Sequence, residues 1–383
     1  MAHSALRFGL LGPLQLNANG TDLPLGAAKQ RAVLAMLLIN RNHPVAIDSL
    51  IDAAWQQHPP PEARASLHAH ISRLRRLVSN SGADPAAVLV SAKPGYRLNV
   101  PDEACDLGRF GIEQKAGIEA AASGRFQQAS DHLSNALAEW RGPVLEDLRD
   151  FQFVDAFAAA LSEDRLVALT VRAEAEIACG RTYSIIGELE ALAAEHPYRE
   201  PLWAQLITAY YLAERQHDAL NAYGRLKTAL ADDLGIDPGP SLQALHQRIL
   251  RQEPLDAKQA ARETAKRVAA TLRRRPELAR ESVVARLLDA TGRRYLLRGA
   301  ATRIGRLSDN DVVIDDDTVS RHHAVIVDTG SSFVITDLRS ANGVELAGQR
   351  IRTSATLADG DHIGICGHEF TFEIGGAEGM PSM

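Results

Sequence analysis

Residues 62–79 read EARASLHAHISRLRRLVS (Glu62–Ser79), and the spacing of that stretch decides how the first third of the chain folds. At ~100° per residue, Leu67, Ile71, Leu74 and Val78 fall on one narrow apolar stripe. The opposite face carries Ala65, Ser66, Ala69, Ser72, Arg73 and Arg76. Small residues let a helix backbone approach a surface closely, and the two arginines put positive charge on the same side. A helix that enters the major groove of DNA needs both properties, because bulky residues would hold it away from the base edges. The pattern also fits a solvated amphipathic helix with a basic face. The flanking sequence bears on that choice.

Upstream, FGLLGPLQLN (Phe8–Asn17), the Asn19-Gly20 turn and LPL (Leu23–Leu25) predict a small antiparallel sheet. KQRAVLAMLLIN (Lys29–Asn40) places Val33, Leu34, Leu37 and Leu38 at helical spacing. A second helix is expected after Ala46, with Asp48 as its N-cap and Leu50, Ile51 and Trp55 along it. Downstream, VLVSAKPGYRLNV (Val88–Val100) reads as two strands around Lys93-Pro94-Gly95. Three helices and a hairpin make a winged helix-turn-helix, whose partner is double-stranded DNA. HISRLRRLV followed by PGYRLNV resembles the recognition helix and wing of the OmpR-type winged helix. The opening sheet and KQRAVLAMLL resemble the variant found in SARP/AfsR-type regulators. That resemblance implies a base-contacting role for Arg73, with Arg76 beside it and with Ser66 and His70 facing or flanking the groove. Lys93 and Arg97 would contact phosphate or the minor groove from the wing, a salt bridge within the hairpin being the other reading of Arg97.

A net charge of −6 does not oppose this, because phosphate attraction follows the local patch. Residues 64–97 hold six Lys/Arg and one acid, a balance of +5, whereas residues 281–376 sum to −4. At 383 residues with 45% apolar and 23% charged residues, the chain is an ordinary globular one of two or three domains. No apolar run approaches the ~18 residues of a membrane span, and the N-terminus has neither the basic start nor the cleavage site of a signal peptide. Cys105, Cys179 and Cys366 lie far apart without CxxC spacing. This argues against a disulfide framework or zinc site and fits a reducing cytoplasm.

The middle of the chain lacks strand signals. Gly124-Arg125-Phe126 and Gly180-Arg181 punctuate pairs of amphipathic helices, an early and weaker pair surrounding Ala129, Leu133 and Ala136. A 34-residue step leads from Leu169 to Trp203, after which Leu206, Tyr210, Ala219 and Tyr223 fall on tetratricopeptide positions. Pro197 closes the preceding unit. Such pairs stack into a curved array, with the aromatic residues expected as packing rather than ligand contacts. From DLGRF (Asp106–Phe110) through LAEWRGPVL to DDLGIDPGPSLQALHQRIL, this span resembles the bacterial transcriptional activation domain of the same regulators. RNA polymerase enters as a further partner on that resemblance. The polar stretch from Gln252 to Ser282 reads as a linker with helical tendency, and its run Arg273–Arg275 as either solvated or a DNA-phosphate contact.

Beyond the linker the period changes to alternation: VVARLL, YLLRG, TRIGR, DVVI, HAVIVD, FVITDL, VELAG, TLADGD, HIGI and EFTFEI. Short strands punctuated by turns predict a β-sandwich. Ile304-Gly305-Arg306 ends one strand, Val319-Ser320-Arg321-His322-His323-Ala324 opens another, and Asp337-Leu338-Arg339-Ser340-Ala341-Asn342-Gly343 closes a third. Arginine forks onto phosphate oxygens, while serine and asparagine supply neutral donors. In this order the three loops resemble the forkhead-associated (FHA) domain, a phosphothreonine reader. The resemblance implies Arg306 and Ser320 as phosphate ligands, Arg321 as an auxiliary contact, Asn342 as the clamp on the peptide backbone and His323 as a structural brace. Val344 departs from the threonine common after Asn-Gly. His322 and His323 have no third ligand at metal-site spacing.

The fold expected is therefore multidomain α+β: a winged helix-turn-helix over 1–101, an all-α TPR-like array over 102–252, a linker over 253–282, an all-β FHA sandwich over 283–375 and a tail over 376–383. No nucleophile–base pair, Walker loop or cofactor motif stands out, so the expectation is no enzyme, no cofactor and no metal. The function expected is a transcriptional regulator that docks a phosphothreonine protein such as a phosphorylated Ser/Thr kinase. The alternative is a phospho-dependent adaptor or kinase-sequestering protein whose DNA binding is weak or vestigial.

Overall fold

The computed structural model describes residues 6–56, 59–273, 284–297, 301–307, 310–328 and 333–375. The chain divides into two compact units. One comprises Met1–Ile112, Ala138–Arg165 and Thr271–Met383, the other Glu113–Leu137 and Leu166–Ala270.

The first unit opens with an antiparallel sheet of β1 (Leu6–Gly9), β2 (Gln15–Ala18) and β3 (Thr21–Asp22), in that order. The third strand was expected at Leu23–Leu25 and lies earlier. Asn19 and Gly20 both have positive φ (52° and 85°) and form a two-residue turn, so pairing resumes at once with Ala18 opposite Thr21. Pro24, lacking an N–H, cannot extend the ladder. The Asp106 carboxylate then accepts the backbone N–H groups of Leu10 and Leu11 at 2.8–2.9 Å and that of Leu107 at 2.7 Å.

Helix α1 (Ala28–Ile39) buries Val33, Leu34, Leu37 and Leu38. Strand β4 (Val45–Ala46) runs directly into α2 (Ile47–Trp55), so Ala46 is the N-cap, held by its pairing with Gly95. Asp48, expected as the cap, sits in the first turn and pairs with Arg64 at 2.9 Å. α3 (Ala63–Asn80) follows, then the short α4 (Pro85–Val88), which the sequence reading did not foresee, capped by Asp84. The wing is β5 (Leu89–Ala92) and β6 (Gly95–Leu98), with strand order β4-β6-β5. Gly95 is required there, since a Cβ would stand 2.1 Å from the carbonyl oxygen of Val45.

The helices that follow are α5 (Asp106–Ala122), α6 (Phe126–Ala138), α7 (Gln152–Ala178), α8 (Thr182–Glu195), α9 (Glu200–Leu212), α10 (Gln216–Leu234), α11 (Pro240–Leu250) and α12 (Ala257–Arg273). Gly124 and Gly180, at φ 77° and 79°, make the turns predicted from them. In the second unit Trp203, Leu206, Tyr210 and Ala219 are buried in one core, with Tyr223 packed against it. Trp203 also donates its indole N–H to the Pro197 carbonyl at 3.0 Å. The aromatic residues of the repeat are thus packing residues.

Helix α12 realises the helical tendency expected of the stretch after Gln252, and it packs more closely than a solvated linker would. It has no large apolar stripe, yet Ala261, Ala265 and Ala269 are all buried. Alanine at i, i+4 spacing lets the helix lie close against its neighbours, a contact that a search for large apolar residues overlooks. The Arg273–Arg275 run and the 376–383 tail lie outside the residues whose side chains are described.

The last stretch of the first unit is two facing sheets, ordered β10-β9-β11-β12-β15 and β14-β13-β16-β17-β7-β8. Their strands are β7 (Val284–Asp289), β8 (Arg294–Leu296), β9 (Ala301–Gly305), β10 (Val312–Val313), β11 (Ala324–Asp328), β12 (Phe333–Asp337), β13 (Glu345–Leu346), β14 (Gln349–Arg350), β15 (Ser354–Leu357), β16 (His362–Ile365) and β17 (His368–Gly375). Inward side chains such as Ile304, Ile326, Ile335, Ile363 and Phe372 form one core. Val344 belongs to it at 0% exposure, so the departure from threonine is a core contact. Among the described residues no helix is long and apolar enough to cross a membrane.

Candidate functional site

Three loops of the sandwich meet at one edge, and backbone contacts set their spacing. β9 ends at Gly305, where a Cβ would come within 2.4 Å of the Arg321 carbonyl oxygen, so only glycine permits the approach. Arg306 then donates its N–H to the Ser320 carbonyl at 3.1 Å, and Leu307 donates to Arg321 at 3.3 Å. The Arg306 guanidinium is exposed and stands 3.6 Å from the Asp317 carboxylate. Ser320 accepts the Ala341 N–H on Oγ at 3.1 Å, which leaves its own O–H able to donate. Asn342 donates from Nδ2 to the Thr318 carbonyl at 2.8 Å.

His323, fully buried, holds this arrangement from beneath. Its Nδ1 accepts the Ser320 N–H at 3.1 Å, which puts the ring proton on Nε2, where it is donated to the Gly343 carbonyl at 2.9 Å. Both ring nitrogens are therefore committed to backbone, as a brace requires. His322 instead turns its Nδ1 to the Asn310 carboxamide at 3.1 Å. Asn310, buried, also donates to the carbonyls of Leu307 and Arg321 at 2.9 and 2.8 Å. It ties the Arg306 loop to the Ser320 loop, a role its ordinary turn setting did not reveal. The Arg321 side chain is exposed beside them. Asp316 is anchored by the Thr318 hydroxyl and amide and by His368, contacts that hold its carboxyl down at about 2. An arginine, a hydroxyl and a carboxamide are thus presented together on a fixed frame, a donor set matched to a phosphate and an extended backbone.

At the other end of the chain, α3 turns Ala65, Ala69, Ser72, Arg73 and Arg76 to solvent, with Ser66 half-buried. His70 does not join them. It is 9% exposed in the buried stripe of α3, its ring centroid 5.8 Å from that of Trp55. Burial, followed by the charges of Arg73 and Lys29, lowers its pKa below the usual histidine value. The expectation that His70 flanks the groove is corrected: the 3.6-residue period rotates it inward beside Ile71. Lys93 is exposed at the hairpin tip, and Arg97 is half-buried with its Nε lacking a hydrogen-bond partner. Arg75, not singled out from the sequence, fastens α3 to the wing. It donates to the Leu89 carbonyl at 2.9–3.0 Å and to Ser91 Oγ at 3.0 Å, and lies 5.7 Å over the Tyr96 ring. The Tyr96 hydroxyl in turn meets His68 Nδ1 at 2.7 Å.

Comparison with known proteins follows the same divisions. The profile of the transcriptional regulatory protein C-terminal domain matches residues 21–98, that of the bacterial transcriptional activator domain residues 105–250, and that of the FHA domain residues 302–366. The transcriptional regulatory protein EmbR of Mycobacterium tuberculosis is 64% identical over 370 residues, 96% of this chain and 95% of that protein. The regulatory protein AfsR of Streptomyces coelicolor is 38% identical over 270 residues, 70% of this chain and 26% of its own. A solved structure of Mycobacterium tuberculosis EmbR, in complex with a low affinity phosphopeptide, superposes with a TM-score of 0.96 at 62% identity, covering 99% of this chain and 100% of that one. The chain belongs to the EmbR family of SARP-type transcriptional regulatory proteins, built from a winged helix, a helical activator domain and an FHA domain.

Proposed function

We propose that this regulator reads DNA through α3 and the wing, and reads a phosphothreonine-bearing protein through the Arg306, Ser320 and Asn342 loops. The observation that carries the second half is the His323 brace. It ties the Ser320 and Gly343 loops into one frame through its own two hydrogen bonds, so little ordering is left for binding to supply. Arg306 supplies the charge-assisted fork to phosphate, Ser320 one hydroxyl donor, Arg321 an auxiliary contact and Asn342 the hold on the peptide backbone. The phosphopeptide bound to the EmbR structure supports this reading. A phosphorylated Ser/Thr kinase fits as the partner class, RNA polymerase as a contact of the helical array, and the cytoplasm as the compartment. Domain boundaries near residues 101, 252 and 283 belong to the same reading, with no catalytic role assigned.

For DNA, Arg73 is the proposed base reader, Arg76 and Ser66 lie on the approaching face, and Lys93 and Arg97 are proposed phosphate or minor-groove contacts. Footprinting of the full chain on fragments from its own genomic neighbourhood tests this half. Protection of a defined site that survives competitor DNA is the expected result. Binding that is uniform over sequence and lost with modest salt would favour the adaptor alternative.

A further inference from the structure

Asp317 lies within the proposed phosphothreonine site, yet its charge opposes the ligand. Its carboxylate Oδ1 stands 3.6 Å from Arg306 Nη1, the side chain intended for phosphate, and it is fully exposed at 104%. Its neighbour Asp316 is held by Thr318 and His368, whereas Asp317 has Arg306 for its ion-pair partner. Asn342, the proposed hold on the peptide backbone, bonds to the Thr318 carbonyl, one residue from Asp317. A peptide seated on Arg306 and Asn342 therefore passes beside this carboxylate.

A phosphate carrying close to two negative charges, drawn to Arg306, takes over the partner of Asp317 and leaves two like charges side by side. An arginine or lysine on the peptide, next to the phosphothreonine, neutralises the released carboxylate. We propose that Asp317 is a specificity-determining residue of the phosphothreonine site. It pairs with Arg306 and selects phosphopeptides that carry a basic residue beside the phosphothreonine. This rests on the phosphothreonine reading of the loops and adds the flanking charge to it.

The test is calorimetric titration of the full chain at low salt with a set of phosphothreonine peptides. One peptide has alanine at every flanking position, and the others carry a single arginine at each of the three positions on either side. Asp317→Asn is compared with wild type, and Asp131→Asn on the helical array removes the same unit of charge as a control. At one or more positions arginine should tighten wild-type binding about two- to fivefold, the range of an exposed ion pair. Asp317→Asn should lose that preference and bind the all-alanine peptide as well as wild type or better, while Asp131→Asn keeps the preference. An arginine preference that is absent in wild type, or equal in Asp317→Asn, would overturn the proposal. Failure of every phosphopeptide to bind wild type would instead bring down the underlying site reading, and the proposal with it.

Discussion

His323 Nε2 donates to the carbonyl of Gly343 at 2.9 Å, across a gap of twenty residues in sequence. Its Nδ1 takes the Ser320 N–H, so one neutral imidazole sets the distance between two loops. Replacing His323 with alanine leaves a part-buried N–H and a buried carbonyl without partners and opens a cavity, at a cost of about 2–4 kcal/mol. Hydrogen exchange at Ser320 and along β11 and β12 should accelerate, and phosphopeptide affinity should fall although no proposed ligand is altered. Unchanged exchange with unchanged affinity would show that the loops hold themselves.

Asp106 performs a comparable task for the opening sheet. Its carboxylate, 2% exposed, accepts three backbone N–H groups and one contact from Arg141 at 3.0 Å. Asp106→Ala should cost about 3–5 kcal/mol, because buried donors and part of the Arg141 charge lose their acceptor. Urea unfolding followed by fluorescence checks this. A loss below about 1 kcal/mol would mean that water replaces the carboxylate.

Glu174 supplies a pH dependence. It lies on α7 near Gln205 of α9 and Thr264 and Arg267 of α12, with Oε2 buried and unpartnered. Burial pushes its carboxyl up to about 7, against the lowering effect of Gln205, Thr264 and Arg267. The folded state thus binds the proton more tightly than the unfolded chain, so this group's contribution to stability falls as pH rises from about 4.5 towards 7. Thermal melts should show that decline in wild type and a flatter profile in Glu174→Gln, which should be the more stable of the two at pH 8. Parallel profiles would place the Glu174 carboxyl in water.

Much of this was legible because periodicity reports burial directly. The Leu67, Ile71, Leu74 and Val78 stripe is buried as spaced, and the strands of the sandwich lie where alternation put them. What escaped was set by tertiary partners. His70 sits 9% exposed against Trp55, at the margin of the apolar stripe, where helical spacing allows either face and the Trp55 ring decides. Arg75 reads as one more surface cation until the wing folds back to meet it. Asn310 looks like any turn asparagine, since two of its three partners, Arg321 and His322, come from the Ser320 loop. The helical tendency of α12 was legible but its packing was not, because alanine counts weakly in any apolar pattern, although Ala261, Ala265 and Ala269 are buried.

The proposed DNA face separates into two kinds of contact. Arg73→Ala should cost about 1–3 kcal/mol at the specific operator and less on random duplex. Lys93→Ala should weaken all sequences similarly and lower the salt dependence by about one unit of slope. Gel-shift titrations over a salt series distinguish them. Equal losses on specific and random DNA for Arg73→Ala would remove its base-reading role.

The central claim is that the edge built around Arg306, Ser320 and Asn342 binds phosphothreonine. Its most direct test is calorimetry of the full chain with one threonine peptide in phosphorylated and plain forms, repeated with Arg306→Ala. The phosphopeptide should bind wild type and the plain peptide should not, since a charge-assisted arginine contact contributes roughly 1.5–3 kcal/mol. Arg306→Ala, folded and with unchanged melting, should lose the difference. Equal affinity for the two peptides, or undiminished phosphopeptide binding by the folded Arg306→Ala chain, would contradict the account.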